Sequence, residues 1–597
     1  MQNPVELDYR QVDAVESRVE LDFRIGIILT RFQTLFLQNK FQEFASRVIS
    51  YGSCQFPTLG FVVDRYKKIQ SFVSEEFYFI IMEHLANGAE KAVFKWKRQR
   101  VYDFETCFAL YSNCMNNPTA TIKKIESKQK LKYKPFPLST VEMEKLGIRY
   151  LKMNSDKIMK VAEQLYNKGF ISYPRTETDI FDKSTNLKSL IQKHTGDPLW
   201  GSFAQNLVDG GFSWPRSGKN DDKAHPPIHP TSCVNMDNLA PDERRLYEMI
   251  VRRFLACCSK DAVGHQTTVT ANIGMESFTA SGLMIIERNF LDIYKYGAGW
   301  NEQSIPVYKL YETFKPTKFE ISTSKTSAPL LLDEAELIDM MNKSQIGTDA
   351  TIHEHIKKIL DREYVIKSNK APNKGKFLPS NLGYALVDGY DGIGLDLSLS
   401  KPYLRREMEN LLKKICLGQS DRKSVTEYCL KLYKLMYIKT VDKKQIILNS
   451  ISNHMGISPN STVASSDYNG QNPNNLHRSP IDNLLSSNTI ISCHICSNGI
   501  LSFNSNNNKN YSITCSNHNL GTCSFSIIIT NHGNFIRSAN VTDSRCTSCA
   551  NSPKKILFNF APGSVPPFIP LVYEGCIFGC NPMLNEILNF PSINVIE

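Results

Sequence analysis

The stretch GFISYPRTETDIF, residues 169–181, sets a phenol, Tyr173, two positions before a guanidinium, Arg175, with Pro174 restricting the backbone between them. In an extended segment, residues i and i+2 project to one side, so the two groups share a face. A tyrosine hydroxyl titrates at about pH 10, so forming its phenolate at pH 7 costs about 4 kcal/mol, and a nucleophilic tyrosine needs cations beside it. Arg175 offers a fixed fork of donors suited to phosphate oxygens. The same pattern also suits a half-buried structural ring, and the motif alone leaves both readings open.

Two further segments carry phosphate-type chemistry. DDKAHPPIHPT places His225 and His229 four apart in a loop stiffened by Pro226, Pro227 and Pro230. Histidines in such a loop can donate to phosphate or shuttle a proton, and can equally be packing residues. QIGTDATIHEHIKKILDREYV sets Gly347 and Thr348 in a tight turn before a helix starting near Thr351. Free N–H groups and hydroxyls at a helix start form a natural phosphate seat, and the order helix, turn, helix, strand suggests a winged-helix element.

The elements that must hold these groups are legible nearby. NSDKIMKVAEQLYNKG reads as an amphipathic helix with Ile158, Val161, Ala162, Leu165 and Tyr166 on one face. Asn154 or Ser155 caps its start, and Gly169 suits the position after its end. Residues 1 to about 70 are helical in pattern, and EEFYFIIMEHL and KAVFKWKRQRVYDF then alternate as strands. Residues 140–260 turn helical, GHQTTVTANIGMESFTASGLMII returns to strand, and helices follow Asp333. A strand module is thus entered twice around a helical insertion. Residues 452–490 are rich in Asn and Ser and read as a disordered linker.

At 597 residues the chain exceeds one core, so three or four domains are expected. No apolar run of about 18 residues suggests a membrane span, and the opening residues carry no secretory h-region. The formal charge is +11, while residues 491–597 hold five Lys and Arg against four Asp and Glu. The excess therefore sits in the first 490 residues, as suits a polyanionic partner.

Eight of the sixteen cysteines are scattered (Cys54, Cys107, Cys114, Cys233, Cys257, Cys258, Cys416, Cys429) and read as reduced thiols. The other eight form two sets, Cys493, Cys496, Cys515, Cys523 and Cys546, Cys549, Cys576, Cys580, each opening with a C-x-x-C knuckle. Such sets predict two tetrahedral Zn²⁺ sites that supply the folding energy of small modules. Disulfides are the alternative, disfavoured without a secretory signal. Cys515 and Cys523 are separated by seven residues, and His518 between them is an alternative ligand.

Five colinear motifs, ELDFRIGIILTRFQTL, YGSCQFPTLGFVVDR, ISYPRTET, AHPPIHPT and QIGTDAT, resemble those of type IA DNA topoisomerases, most closely the eukaryotic topoisomerase III branch. The resemblance covers about residues 10–440 and resumes in FAPGSVPPFIPLVYEGCIFGC. It implies a multidomain α+β torus with C-terminal zinc ribbons. A winged-helix-like central domain would comprise 1–70 and 323–445, a strand-rich arch 71–138 and 262–322, and the catalytic tyrosine domain 139–261. A linker at 446–490 and zinc modules at 491–530 and 540–597 would follow. The implied chemistry is attack by Tyr173 on a phosphodiester of single-stranded DNA, leaving a 5′-phosphotyrosine and a free 3′-hydroxyl, then strand passage and reversal without ATP. Arg175 and His225 match the family residues that steady the scissile phosphate. Arg31 and Gln55 fall in motifs lining the single-strand groove, and Gly347, Thr348 and Thr351 in the phosphate-seat motif; His229 has no assigned role.

In this family a Toprim domain with an Mg²⁺ site precedes these motifs. The resemblance therefore implies Mg²⁺ whose ligands lie in a Toprim domain outside this chain, and a chain that is part of a longer protein. The spaced acids of LDEAEL and DGYDGIGLDL read as a helix and a loop and do not replace that site. Implied partners are a RecQ-class helicase and an OB-fold accessory subunit, with a nuclear location and a mitochondrial pool as the second choice. Two readings of another class compete: a non-catalytic single-strand DNA-binding protein, and a zinc-dependent scaffold for a helicase complex.

Overall fold

The computed structural model describes residues 6–459 except 87–89, 298, 349 and 395–397, and beyond them 489–493, 496, 499–505, 511–518, 523, 526–529, 536–546, 553–560 and 572–576. The chain divides into two compact units, Met1–Val463 and Ala464–Glu597.

The first unit opens with α1 (Tyr9–Gln38), whose N-cap Asp8 accepts from Arg10 N, and α2 (Gln55–Gln70). Strands β1 (Glu76–Ala86) and β2 (Glu90–Trp96), α3 (Phe104–Met115) and β3 (Ala120–Lys132) follow. Five helices come next: α4 (Thr140–Leu146), α5 (Ser155–Asn167), α6 (Leu187–Gln192), α7 (Gly201–Asn206) and α8 (Pro241–Cys257). The chain then returns to strand with β4 (Ala262–Ile273), β5 (Glu276–Glu287), β6 (Thr313–Phe314) and β7 (Lys318–Lys325).

These seven strands form one antiparallel sheet in the order β6-β3-β4-β5-β2-β1-β7. Alternation orients it. In β2, Ala92, Phe94 and Trp96 are buried while Val93 and Lys95 are exposed, so one face builds a core with Cys107 and Cys114 of α3 and the other stays open. The helices inserted between β3 and β4 bury a separate core, in which Ile158, Val161, Ala162 and Leu165 of α5 meet Leu246, Ile250 and Phe254 of α8.

The rest of the unit comprises α9 (Glu334–Lys343), α10 (Ile352–Asp361), β8 (Val365–Lys367), β9 (Phe377–Pro379), α11 (Asn381–Gly392), α12 (Tyr403–Cys416), α13 (Arg422–Asp442) and α14 (Lys444–Met455). Helices α9 and α10, followed by the antiparallel β8–β9 hairpin, make the helix–turn–helix with a wing that the pattern suggested. They share a core with α1, α2 and α11–α14.

Helix α14 corrects the linker expected from residue 446. Ile447, Leu448 and Ile451 are buried, and a Cβ on Gly389 of α11 would fall 3.0 Å from Ile447 Cα, so the two helices touch backbone to backbone. Residues 460–488 lie outside the described residues. DGYDG, read as a loop, is the last turn and a half of α11.

The second unit contains a four-stranded sheet, β10 (Thr489–Ser492), β11 (Ile500–Ser505), β12 (Tyr511–Cys515) and β13 (Ser526–Ile529) in that order, and a three-stranded one, β14 (Ile536–Arg545), β15 (Lys554–Phe560) and β16 (Val572–Gly575).

Candidate active site

The tyrosine segment is extended and pinned from both sides. Ser172 N donates to His229 O at 2.9 Å, His229 N donates back to Ser172 Oγ at 3.0 Å, and Ile171 bridges Pro230. Across the strand, Thr140 at the start of α4 clamps both sides of Arg175. Its Oγ1 donates to Pro174 O (2.7 Å) and accepts from Thr176 N (2.7 Å), and its N–H donates to Thr176 O (3.0 Å). Ser172, Pro174 and Thr176 are buried while Tyr173 and Arg175 are half-exposed, so the alternation puts phenol and guanidinium on the open side together. Asn154 caps α5 by accepting from Lys157 N, and Gly169 takes a φ of +77° after its end, which returns the chain into this strand.

Tyr173 lies between two rings. His225 packs on it with centroids 4.6 Å apart and planes at 34°, and Tyr166 of α5 meets it edge-on at 5.3 Å. The Tyr173 hydroxyl makes no hydrogen bond among the described residues. His225 is held from below by Asp222, which accepts from the backbone N–H of His225 (2.8 Å) and Ala224 (2.9 Å) and from Thr176 Oγ1 (2.8 Å). Partial burial pushes the Asp222 carboxyl up, but those donors outweigh it and hold it at about 2. A permanent carboxylate 3.6 Å from His225 Nδ1 thus sits beneath the imidazole. His229, by contrast, is buried, contacts Pro227 O through Nδ1 at 2.7 Å and packs on Phe181 and Phe254. Burial lowers its pKa, and its role here is to fix the loop.

Arg175 joins this cluster to the winged-helix element. Its Nε donates to Glu163 of α5 at 2.9 Å and its Nη1 to Ala350 O at 2.8 Å. Ala350 belongs to the turn before α10, in which Gly347 has φ +78° and Thr348 N donates to Thr351 Oγ1 at 2.9 Å. Tyr173, Arg175, His225, Gly347, Thr348 and Thr351 therefore belong to one neighbourhood linked through Arg175. One expectation is corrected: Thr351 N and Ile352 N both donate to Thr348 O, so the start of α10 is partly satisfied internally instead of open.

Behind the turn the two helical parts meet along polar contacts. Glu334 of α9 accepts Ser155 N (2.8 Å) and Ser155 Oγ (2.6 Å) at the start of α5 and pairs with Lys367. Buried Glu144 and His353 lie 3.3 Å apart, and Lys145–Asp339 and Lys357–Asp156 pair at 2.9 and 3.2 Å. Glu163, Asp222 and Thr140 were missed as site residues. Only Asp222, three positions before His225 in the quoted motif, carried a signal, that of an Asx-type turn.

Arg31 and Gln55 are not brought to the tyrosine by any described contact. Arg31 lines a surface groove on α1 with Gly26, Ile27, Thr30, Thr34 and Val48. Gln55 opens α2 and lies over Gly52, where a Cβ would come 2.9 Å from its Cδ.

In the second unit the thiols of Cys493, Cys496, Cys515 and Cys523 converge within 4.8 Å of one another and can hold a metal ion. The Sγ atoms of Cys493 and Cys523 lie 3.7 Å apart and those of Cys496 and Cys515 3.5 Å, near the ~3.8 Å edge of a tetrahedron with ~2.3 Å metal–sulfur bonds. Gly499 is required here, since a Cβ would lie 2.3 Å from Cys515 Sγ. His518 contacts Cys523 O through Nδ1 and is outside the converging set. Cys546 and Cys576 are both buried; Cys549 and Cys580 lie outside the described residues. No other group of three or more His, Cys, Asp or Glu converges among the described residues. The acids weighed from sequence are engaged elsewhere: Asp333 and Glu336 in a capping box, Asp388 with Lys67 and His454, and Asp391 with Ser398 and Ser400.

The fold is that of a type IA topoisomerase: full-length topoisomerase I from Thermotoga maritima matches with a TM-score of 0.58 and 20% identity, over 91% of this chain and 79% of that one. A family model described as DNA topoisomerase matches residues 6–427. DNA topoisomerase 3-alpha of Mus musculus is 42% identical over 99% of this chain, and DNA topoisomerase 3 of Schizosaccharomyces pombe is 44% identical over 75% of it. The chain belongs to the DNA topoisomerase family, in its topoisomerase 3 branch. It spans 56% of the mouse relative and 72% of the fission-yeast one.

Proposed function

We propose that this chain carries the DNA-cleaving tyrosine and the strand-passage gate of a type IA topoisomerase, an ATP-independent isomerase acting on single-stranded DNA. The observation that supports this most is the placement of Tyr173 and Arg175 on one open face with His225 stacked on the phenol. Tyr173 Oη attacks phosphorus, the 3′-oxygen leaves, and a 5′-phosphotyrosine forms; the free 3′-hydroxyl later attacks the same phosphorus and releases the phenol. Arg175 offers positive charge to the phosphate, and the Glu163 and Ala350 contacts keep that charge in place. His225, over its permanent carboxylate, is positioned to donate to a phosphate oxygen. Gly347, Thr348 and Thr351 flank the same strand, and Arg31 and Gln55 extend its path along α1 and α2.

The second unit holds two Zn²⁺ ions in this reading, one on Cys493, Cys496, Cys515 and Cys523 and one on Cys546, Cys549, Cys576 and Cys580. The converging acids that Mg²⁺ requires are not found among the described residues. Family resemblance supports a RecQ-class helicase and an OB-fold subunit as partners and a nuclear location; no helix among the described residues is long and apolar enough to cross a membrane.

The test is a denaturing-gel assay with end-labelled single-stranded oligonucleotide and Mg²⁺, run with and without an added Toprim fragment. A covalent adduct that Tyr173→Phe abolishes supports the proposal. Tight DNA binding with no adduct under either condition replaces it with the non-catalytic binding protein.

A further inference from the structure

The open face of the seven-stranded sheet has no part in the cleavage chemistry above, yet it carries a groove, aromatic rings and exposed cations. On β1, Phe77, Phe79 and Ile81 alternate with buried Ile80 and Met82 and are half-exposed, Phe79 also packing partly against the core. Phe79 and Ile81 line a groove of about 600 Å³ with Val93, Lys95 and Lys97. Phe77 continues the row: its ring is 6.0 Å from Phe79 and 6.4 Å from Tyr102, which is itself 54% exposed. Three aromatic rings therefore run in series outward from the groove, Phe77 and Tyr102 meeting edge to face.

The charges on this face are unbalanced in a particular way. Glu83 pairs with Lys91 at 2.8 Å and Glu320 with Lys318 at 2.9 Å. Each acid is thus engaged locally. Lys95, Lys97 and Arg100 are exposed and pair with no carboxylate among the described residues. Arg100 lies over Phe77 with its guanidinium carbon 5.1 Å from the ring centroid, which holds a positive charge beside this row of rings. Aromatic rings interleaved with unneutralised cations match a polymer that presents π-faces and phosphates alternately, the pattern by which unpaired strands are held without sequence preference.

We propose that this face, through Phe77, Phe79, Tyr102, Lys95, Lys97 and Arg100, is a second binding surface for an unpaired DNA strand, separate from the tyrosine cleft. The choice of DNA rests on the function proposed above; the surface itself does not depend on cleavage.

The test uses the full chain carrying Tyr173→Phe, so that no covalent cleavage product forms. A single-stranded oligonucleotide containing 5-iodouracil is photocrosslinked to it and the adducts are mapped by mass spectrometry. Crosslinks at Phe77, Phe79 or Tyr102, weakened about tenfold by Phe79→Ala, are expected. Lys95→Glu with Lys97→Glu should lower the slope of log affinity against log salt by about 1.4, two single-strand phosphate contacts. Crosslinks confined to residues 169–231 with an unchanged salt slope would overturn the proposal. So would crosslinks on this face that Phe79→Ala leaves intact. Failure of the wild-type chain to form a tyrosine adduct even with the added Toprim fragment would overturn the cleavage reading alone and leave this map standing.

Discussion

At the residue scale, Asp222 shows how a side chain two contacts from the chemistry sets its geometry. Its carboxylate gathers the turn Asp222–His225 and ties it to Thr176 in the tyrosine strand. Asp222→Ala leaves those donors without their acceptor, and a loss of about 1–3 kcal/mol in the stability of this region is expected, read by urea unfolding of wild type and variant. The pH dependence follows from the depressed pKa. The carboxylate is stabilising above the unfolded value of 3.8, and that contribution decays as pH falls through the folded value of about 2, so the gap between wild type and variant should narrow between about pH 4 and pH 2. A gap that widens on acidification would show that another group dominates. The covering of Tyr173 was only partly legible. The sequence pairs it with Arg175 by spacing, but the stacked His225 comes from 52 positions on, and the acceptor of Arg175, Ala350 O, is 175 residues away. No local pattern encodes such distances.

At the scale of elements, the seam between the inserted helices and the winged-helix element rests on α5 meeting α9. Ser155 at the first turn of α5 is capped by a carboxylate from another helix, Glu334, which only the tertiary fold supplies. Glu334→Ala removes it, leaving buried Ser155 unsatisfied and Lys367 unpaired, at an expected cost of about 2–4 kcal/mol. Hydrogen exchange should rise first in residues 152–160 and 334–343 while the seven-stranded sheet stays protected; a uniform rise would mean the seam is not a separable joint. Periodicity made α5 and its cap readable because its apolar face repeats cleanly. It misled at α3, where the polar–apolar alternation of β2 carries on through KRQRVY although Gln99 has φ +65° and Asp103 caps a new helix. It also missed α14, where exposed Asn449 and Asn453 and a buried Ser450 masked the inner face of Ile447, Leu448 and Ile451.

At the scale of the whole molecule, the two units have different sources of stability. The first buries large apolar cores, while the buried residues of the second include Cys493, Cys515 and Cys523, thiols of the cluster that can hold a metal ion, beside a few aliphatic and aromatic side chains. A strong chelator should therefore release bound metal and unfold the second unit, leaving a protease-resistant fragment close to residues 1–463. Metal analysis of the purified chain should give two zinc ions, and Cys496→Ser should reduce that to one. A chelated chain with both units protected would remove the metal from the account of folding. Composition made part of this contrast legible, because clustered thiols in a near-neutral tail suit metal binding, and four of the eight converge among the described residues.

The polar character of the seam has a thermal consequence. Parting the inserted helices from α9 and α10 would uncover carboxylates, ammonium groups and hydroxyls, with Val141 and Ile148 the partly buried apolar side chains from the insertion's first turns packed on the neighbouring core. Exposing apolar surface raises heat capacity and exposing polar surface lowers it. Polar exposure at the seam offsets part of the heat capacity that apolar exposure adds, so the enthalpy of parting it should vary less with temperature than that of an apolar joint of the same size. A van't Hoff plot of seam opening should accordingly be straighter than one of global unfolding.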